Sequence, residues 1–337
     1  MRLGVDAVCL GAQGWSVPEI FEYAAQLGLD TVELGRKHLA GLDEVALQAL
    51  RRQADELGLG IEVELGSIDQ FGAVFRKEAG PAEEQLRGMI HTAQVLGSPY
   101  VQCFLGSQTE RLGAMPFEQH VEEVARVVGT VKPLLRDLGM KIALENHCDF
   151  LARELKLMVE EVGSQYLGVC LDTGNPTWIG EDPLMTAEVL APYTIMTHIR
   201  DSRVWAGPGG AMVQWAPMGQ GNTDLPAIAV LLAEHAPDAA FTLEIITGSE
   251  PRSISYIGAD CELWRMFPDM LARDFARYVA LAQSGKAEPL NQVTAPRGTR
   301  VEPKSELGEQ LRLQQLRHFE ESVRYCRDVL RVGKRKG

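Results

Sequence analysis

Short apolar, β-branched runs recur along the chain, and most are separated by longer segments in which apolar residues return every three or four positions. Eight runs have strand length: residues 2–8 (RLGVDAV), 31–35 (TVELG), 60–66 (GIEVELG), 100–106 (YVQCFLG), 141–146, 167–172, 195–200 and 241–246. The longer segments carry helix start and stop signals. SVPEIFEYAAQLG has Ser16 as N-cap, Pro18 in the first turn and Gly28 at its end. LDEVALQALRRQADELG stops at Gly58, PAEEQLRGMIHTAQVLG runs from Pro81 to Gly97, and PFEQHVEEVARVVGTVKPLLRDLG stops at Gly139. Strand and helix alternating in this way predict an α/β fold, a (β/α)8 barrel over residues 1–285. A doubly wound open sheet is the runner-up.

Beyond residue 285 the pattern changes. Residues 286–304 are rich in Gly, Pro and polar side chains and read as a linker or wrapping arm. Residues 305–337 form a C-terminal extension ending in an amphipathic helix, with an apolar stripe of Leu307, Leu311, Leu316, Phe319, Val323, Cys326 and Leu330. That stripe docks on its own barrel or, alternatively, on another subunit. The basic KRK tail is read as solvated.

Composition narrows the function classes. With 337 residues, 45% hydrophobic and 23% charged, the chain has material for a large core, and its net charge of -13 disfavours nucleic acid and anionic membranes as partners. The six cysteines are scattered without CxxC spacing, as in a reduced, cytoplasmic protein. No signal peptide or membrane span is expected from the sequence as it stands.

Four potential ligands stand near the ends of four successive runs: Glu145, Asp172, His198 and Glu244. Taken singly, each has a bland explanation as a strand-end acid, a turn former or a core histidine. Together, at the carboxyl ends of consecutive barrel strands, they converge on one face and need a cation. This convergence also favours the closed barrel, because an open sheet would hold the first and last of the four far apart. Three oxygen donors and one imidazole lean toward Mn2+, with Mg2+, Co2+ and Zn2+ also compatible.

The segments ALENH, LDTGN, THIRD and TLEI resemble the metal-binding strand ends of the sugar phosphate isomerase/epimerase family, the xylose isomerase-like TIM barrels. The resemblance implies a divalent metal held by Glu145, Asp172, His198 and Glu244, with the two glutamates flanking the sugar as acid and base. It also implies enolisation: a carbonyl beside the metal acidifies its neighbouring C–H, and isomerisation, epimerisation and elimination share that step. Many members place a histidine three residues after the ligand aspartate, where this chain has Asn175, a candidate substrate contact. The departure disfavours the multi-metal chemistry of the family's endonuclease IV branch.

His147, two residues after Glu145, is a candidate acid/base, with loop capping as its other explanation. Arg200, two after His198, is a candidate substrate ligand, or else an ion-pair partner of a neighbouring acid such as Asp201. All five tryptophans follow strand ends, and Trp15 and Trp178 are read as part of an aromatic mouth. The glycine-rich stretch 202–224 reads as a long loop and candidate lid. THIRDS, QWAPMGQGNTD and EIITG are also similar to catalytic subunits of C-glycoside deglycosidases, which eliminate the aglycone from 3-oxo-glycosides.

The expectation is therefore a metal-dependent enzyme acting on a small carbohydrate, as a sugar isomerase or epimerase or as a lyase on oxidised sugars. Its further partner would be a second copy or a small partner subunit. The alternatives are a non-catalytic barrel serving as an interaction module and an endonuclease IV-like phosphodiesterase.

Overall fold

The computed structural model describes residues 1–333 except 259, 297, 298 and 300, so the KRK tail and the end of the 305–337 segment lie outside the described residues. Every apolar run identified in the sequence is a strand of one parallel sheet. These strands are β1 (Leu3–Asp6), β2 (Thr31–Gly35), β3 (Gly60–Ser67), β4 (Tyr100–Phe104), β5 (Lys141–Glu145), β6 (Leu167–Asp172) and β7 (Thr194–His198). After β8 (Asp201–Gly207) and β9 (Gly210–Ala216) comes the eighth, β10 (Phe241–Leu243). They are hydrogen-bonded in the order β10-β1-β2-β3-β4-β5-β6-β7. Ile199 N–H donates to Thr242 O at 2.8 Å and Glu244 N–H to Ile199 O at 3.0 Å, which ties the last edge to the first and closes a TIM barrel.

Local chemistry explains the helix ends. Ser16 and Glu19 form a capping box before helix Val17–Leu27. Gly28, Gly58, Gly97 and Gly139 adopt φ values of 65 to 74°, the left-handed cap that ends a helix one or two residues before the next strand begins. Inside the barrel, Tyr100, Ala143, Cys170 and Met196 form an apolar layer. Below the mouth, buried Glu62 accepts from Tyr100 Oη at 2.6 Å and Thr242 Oγ1 at 2.9 Å.

Two arrangements differ from the simple repeat. The stretch 202–224, expected as a loop, contains most of an antiparallel hairpin: β8 and β9 pair throughout, and β11 (Arg252–Ser255) adds a third strand. Val204, Ala211, Val213 and Ile254 bury one face of this sheet against Tyr278 and Ala282 of helix Ala272–Ser284. The apolar alternation there is short and broken by small residues, so its glycine content dominated the sequence pattern.

Because that helix is engaged with the hairpin, another completes the outer layer. Helix Glu306–Tyr325 packs beside Val17–Leu27, where Tyr23 Oη donates to Glu320 Oε1 at 2.9 Å. Its buried Ser322 Oγ accepts from Met218 N at 3.1 Å. The turn Cys326–Leu330 continues against helix Leu225–His235, and Arg327 Nη2 donates to the carbonyls of Leu27 and Gly28 at 2.6 and 2.8 Å. Phe319, Val323 and Cys326 of the apolar stripe are thereby buried within the chain.

Candidate metal centre

Each of the four strand ends points one donor into the barrel mouth, because residues two apart on a strand share a face and the strands end at one level. One ligand atom each from Glu145, Asp172, His198 and Glu244 can be chosen so that all lie within 4.8 Å of one another. Three of the residues are buried and Glu244 is slightly exposed. β5 and β6 are pinned at this level by Asn146, whose Nδ2 donates to Asp172 O at 2.9 Å while its Oδ1 accepts from Asp172 N at 2.8 Å.

His198 shows how the donors are oriented. Its Nε2 lies 2.8 Å from Glu33 Oε2 on β2, and its Nδ1 faces Glu145 at 3.5 Å and Glu244 at 3.6 Å. That buried Nδ1 has no hydrogen-bond partner among the described residues. A carboxylate behind one ring nitrogen, with the other nitrogen unpartnered and facing further donors, is the arrangement by which a histidine is presented to a metal. Glu145 is held similarly: Gln102 Nε2 donates to Oε2 at 2.6 Å and Asn175 Nδ2 to Oε1 at 2.9 Å. Asp172 Oδ1 accepts from the backbone N–H groups of Gly174 and Asn175 at 2.6 and 2.7 Å.

The demand for positive charge is visible in Arg200, whose Nη2 ion-pairs with both Asp172 and Glu244. The expected alternative partner, Asp201, is engaged elsewhere, accepting from the backbone N–H groups of Ser202, Gly219 and Gly221. Gly174 makes room for this arginine, since a Cβ there would stand 2.2 Å from Arg200 Cδ. Arg200 Nε and Nη1 are buried without partners among the described residues.

The electrostatics separate the two glutamates. Burial raises the Glu145 carboxyl, but His147, His198 and Arg200 outweigh it and hold the group down to about 2. For Glu244, burial outweighs Arg200 and His198, and the carboxyl is pushed well above its usual range. His198 is raised well above an ordinary histidine, because Cys170, Glu33, Glu145 and Glu244 outweigh the opposing effect of burial. Donor chemistry, the open Nδ1 and the surplus of carboxylates all fit a divalent cation.

His147 follows the end of β5, where the chain turns through Cys148 at φ 63°. Its ring stacks on Phe104, with centroids 4.2 Å apart and 20° between planes, and its Nδ1 lies 2.7 Å from Gly106 O. It lines a cavity of about 470 Å3 together with Asn175, Trp178, Trp215 and Arg252. The Trp178 ring in this lining is stacked on Trp215, with centroids 4.1 Å apart and 1° between planes. Arg252 lies 4.6 Å from the Trp178 ring and Arg200 4.2 Å from that of Trp215.

Trp15 is a correction. Its ring packs 4.9 Å from Tyr23 in the helical layer, because the chain after β1 turns through a 3-10 segment that carries it outward. Glu33, Gln102, Asp6 and Glu64 were not singled out in the sequence. The available signal was a polar side chain inside an apolar strand, in register with the strand's inward face.

This geometry defines a TIM barrel with a carboxylate–histidine cluster at its carboxyl-end mouth that could hold a metal ion. The chain belongs to the xylose isomerase-like TIM barrel family, whose model matches residues 21–265. A curated relative, 3-oxo-isoapionate decarboxylase of Pectobacterium atrosepticum, is 26% identical over 188 residues, and the match spans 56% of each chain. D-psicose 3-epimerase from Clostridium cellulolyticum H10, solved with D-tagatose, aligns with a TM-score of 0.60 at 14% identity, covering 84% of this chain and 96% of the epimerase. A xylose isomerase-like TIM barrel protein from Mycobacterium smegmatis, solved with magnesium, aligns with a TM-score of 0.56 at 14% identity over 84% and 97% of the two chains. Among the described residues, no helix is long and apolar enough to cross a membrane.

Proposed function

We propose that this protein is a divalent-metal-dependent enzyme that enolises a keto-sugar or 3-oxo-glycoside, with Mn2+ as the cation its donor set favours. The observation that carries this reading is the open Nδ1 of His198 facing Glu145 and Glu244, with Glu33 fixed behind its other nitrogen. When bound, the cation supplies Lewis acidity, stabilising negative charge that develops on a substrate carbonyl oxygen.

The chain's own groups then divide the proton work. Glu145, held ionised by its cationic neighbours, takes the proton from the carbon beside the carbonyl. Glu244, on the other side of the opening, stands where a proton is returned. His147, with Nδ1 committed to Gly106 O, exchanges a proton through Nε2 with a substrate oxygen.

Return of the proton to either carbon gives an isomer or epimer, and loss of a leaving group beside the carbanion gives elimination. The curated relative's name describes loss of a carboxyl group from a 3-oxo acid. That bond cleavage also leaves an enolate, so the likeness supports the shared intermediate rather than one fate.

NMR in D2O on the Mn2+-loaded protein, with a panel of free ketoses and 3-oxo-glycosides, tests the proposal. Deuterium should enter the carbon beside the carbonyl, with an epimer or aldose marking an isomerase and a released aglycone marking a lyase. His147→Ala should lower turnover by about 10²–10⁴-fold while retaining metal. Unchanged turnover in that variant would remove His147 from the mechanism, and no exchange in any substrate by the metal-loaded wild type would refute enolisation.

A further inference from the structure

A second cavity opens at the same mouth, over β1 to β4. It measures about 340 Å3, with Asp6 and Glu64 among its lining residues together with three cations, Arg36, Lys37 and Arg76. It adjoins the metal centre: Asp6, Glu33 and His198 can each place a donor atom within 4.8 Å of the other two. Its size suits an arm of a small ligand whose other end lies between Glu145 and Glu244.

The cations are poorly compensated. Arg36 forms no ion pair among the described residues, and its Nη2 donates at 2.6 Å to the neutral amide oxygen of Gln85. Burial first, and then the nearby charge of Arg76, lower its pKa from the usual arginine value. Lys37 is exposed, and its charge acts on buried Asp6 without a direct ion pair among the described residues. Arg76 gives its Nε to Glu78, an exposed acid beyond the cavity, at 2.9 Å.

The two acids in the lining offset part of this charge, since Asp6 interacts with Lys37 and Glu64 with Arg36, but they face three cations. Burial, joined by repulsion from Asp6, pushes the Glu64 carboxyl up to about 7, so near neutrality it is partly a hydrogen-bond donor. Its carboxylate has room only because residue 35 is glycine, where a Cβ would stand 2.6 Å from Glu64 Oε2. In a chain of net charge -13, this rim is a local reversal of sign.

We infer that this cavity receives an acidic arm of the substrate, a carboxylate or phosphate ester on the sugar, with Arg36 and Lys37 as its counter-ions. The inference rests on the proposed function in that it places the sugar's carbonyl end at the metal centre. It adds a substrate class, an anionic rather than a neutral keto-sugar.

Isothermal titration of the full-length, Mn2+-loaded protein tests it with three probes on one frame: methyl β-D-glucuronide, methyl β-D-glucoside 6-phosphate and methyl β-D-glucoside. At least one acid should bind about tenfold or more tightly than the neutral glycoside, as expected for hydrogen bonds to a charged group. The tighter acid identifies carboxylate or phosphate. Combining Arg36→Met with Lys37→Met should abolish the preference while leaving neutral-glycoside affinity and bound Mn2+ unchanged. Lys37→Met alone, at an exposed position, should cost about threefold and keeps the test decisive if the double variant does not fold.

Equal affinities for all three probes, no measurable binding of either acid, or a preference that survives the double variant would overturn the inference. Binding is read without turnover. A protein that prefers the acid yet exchanges no deuterium loses the proposed reaction and keeps this site, whereas exchange on neutral ketoses without acid preference does the reverse.

Discussion

Glu33 shows how much a single residue outside the ligand set can control. It is fully buried, and burial, only partly offset by His198, raises its carboxyl well above the usual range. Its contact with His198 Nε2 leaves Nδ1 as the ring nitrogen that faces Glu145 and Glu244. Glu33→Gln should therefore weaken divalent-metal affinity by about 10–100-fold, measured by competition with a chelator. Unchanged affinity would show that His198 is oriented by packing alone.

The four candidate donors that the structure brings together could be picked out in the sequence because each is an isolated acid or histidine at the end of an apolar run. Glu33 could not, since TVELG reads as a strand whether or not its glutamate has a partner; that partner lies 165 residues away.

Glu181 makes a separate residue-scale test. Burial drives its carboxyl up to about 8 despite hydrogen bonds from Ala152 N and Thr186 Oγ1. A folded-state pKa above the unfolded value makes an acid's contribution greatest below its unfolded pKa of about 4.5, and that contribution is lost as pH rises toward 8. Glu181→Gln should thus gain stability relative to wild type between pH 5 and pH 8, by about 1–3 kcal/mol. Urea midpoints at the two pH values check this, and a constant difference would contradict it.

At the scale of elements, the outer layer is completed out of sequence order. Helix Ala272–Ser284 lies over the β8–β9–β11 sheet, and helix Glu306–Tyr325 fills the remaining place beside Val17–Leu27. Phe319, fully buried there, anchors it against Tyr23 at a centroid distance of 6.4 Å. Phe319→Ala should destabilise the whole barrel by about 3–5 kcal/mol, read as a lower urea midpoint. An unchanged midpoint would mean that the C-terminal helix is an appendage.

Strand and helix existence was legible because the apolar periods are long and the LG stops repeat. The hairpin was not, because its turn chemistry, GPGG, looks the same in a loop. Which helix would occupy the last place in the layer depends on contacts between distant segments, which periodicity does not encode.

For the whole molecule, closure of the barrel is what makes a site from four separated strands. A chain with net charge -13 gathers acids at this mouth, so a cation bound there would stabilise the folded state. The most direct measurement is a Mn2+ titration of the purified protein followed by electron paramagnetic resonance, with Asp172→Asn alongside. The account predicts one tight site per chain in the wild type, lost or weakened at least tenfold in the variant. No bound Mn2+, or equal binding by both proteins, would contradict it.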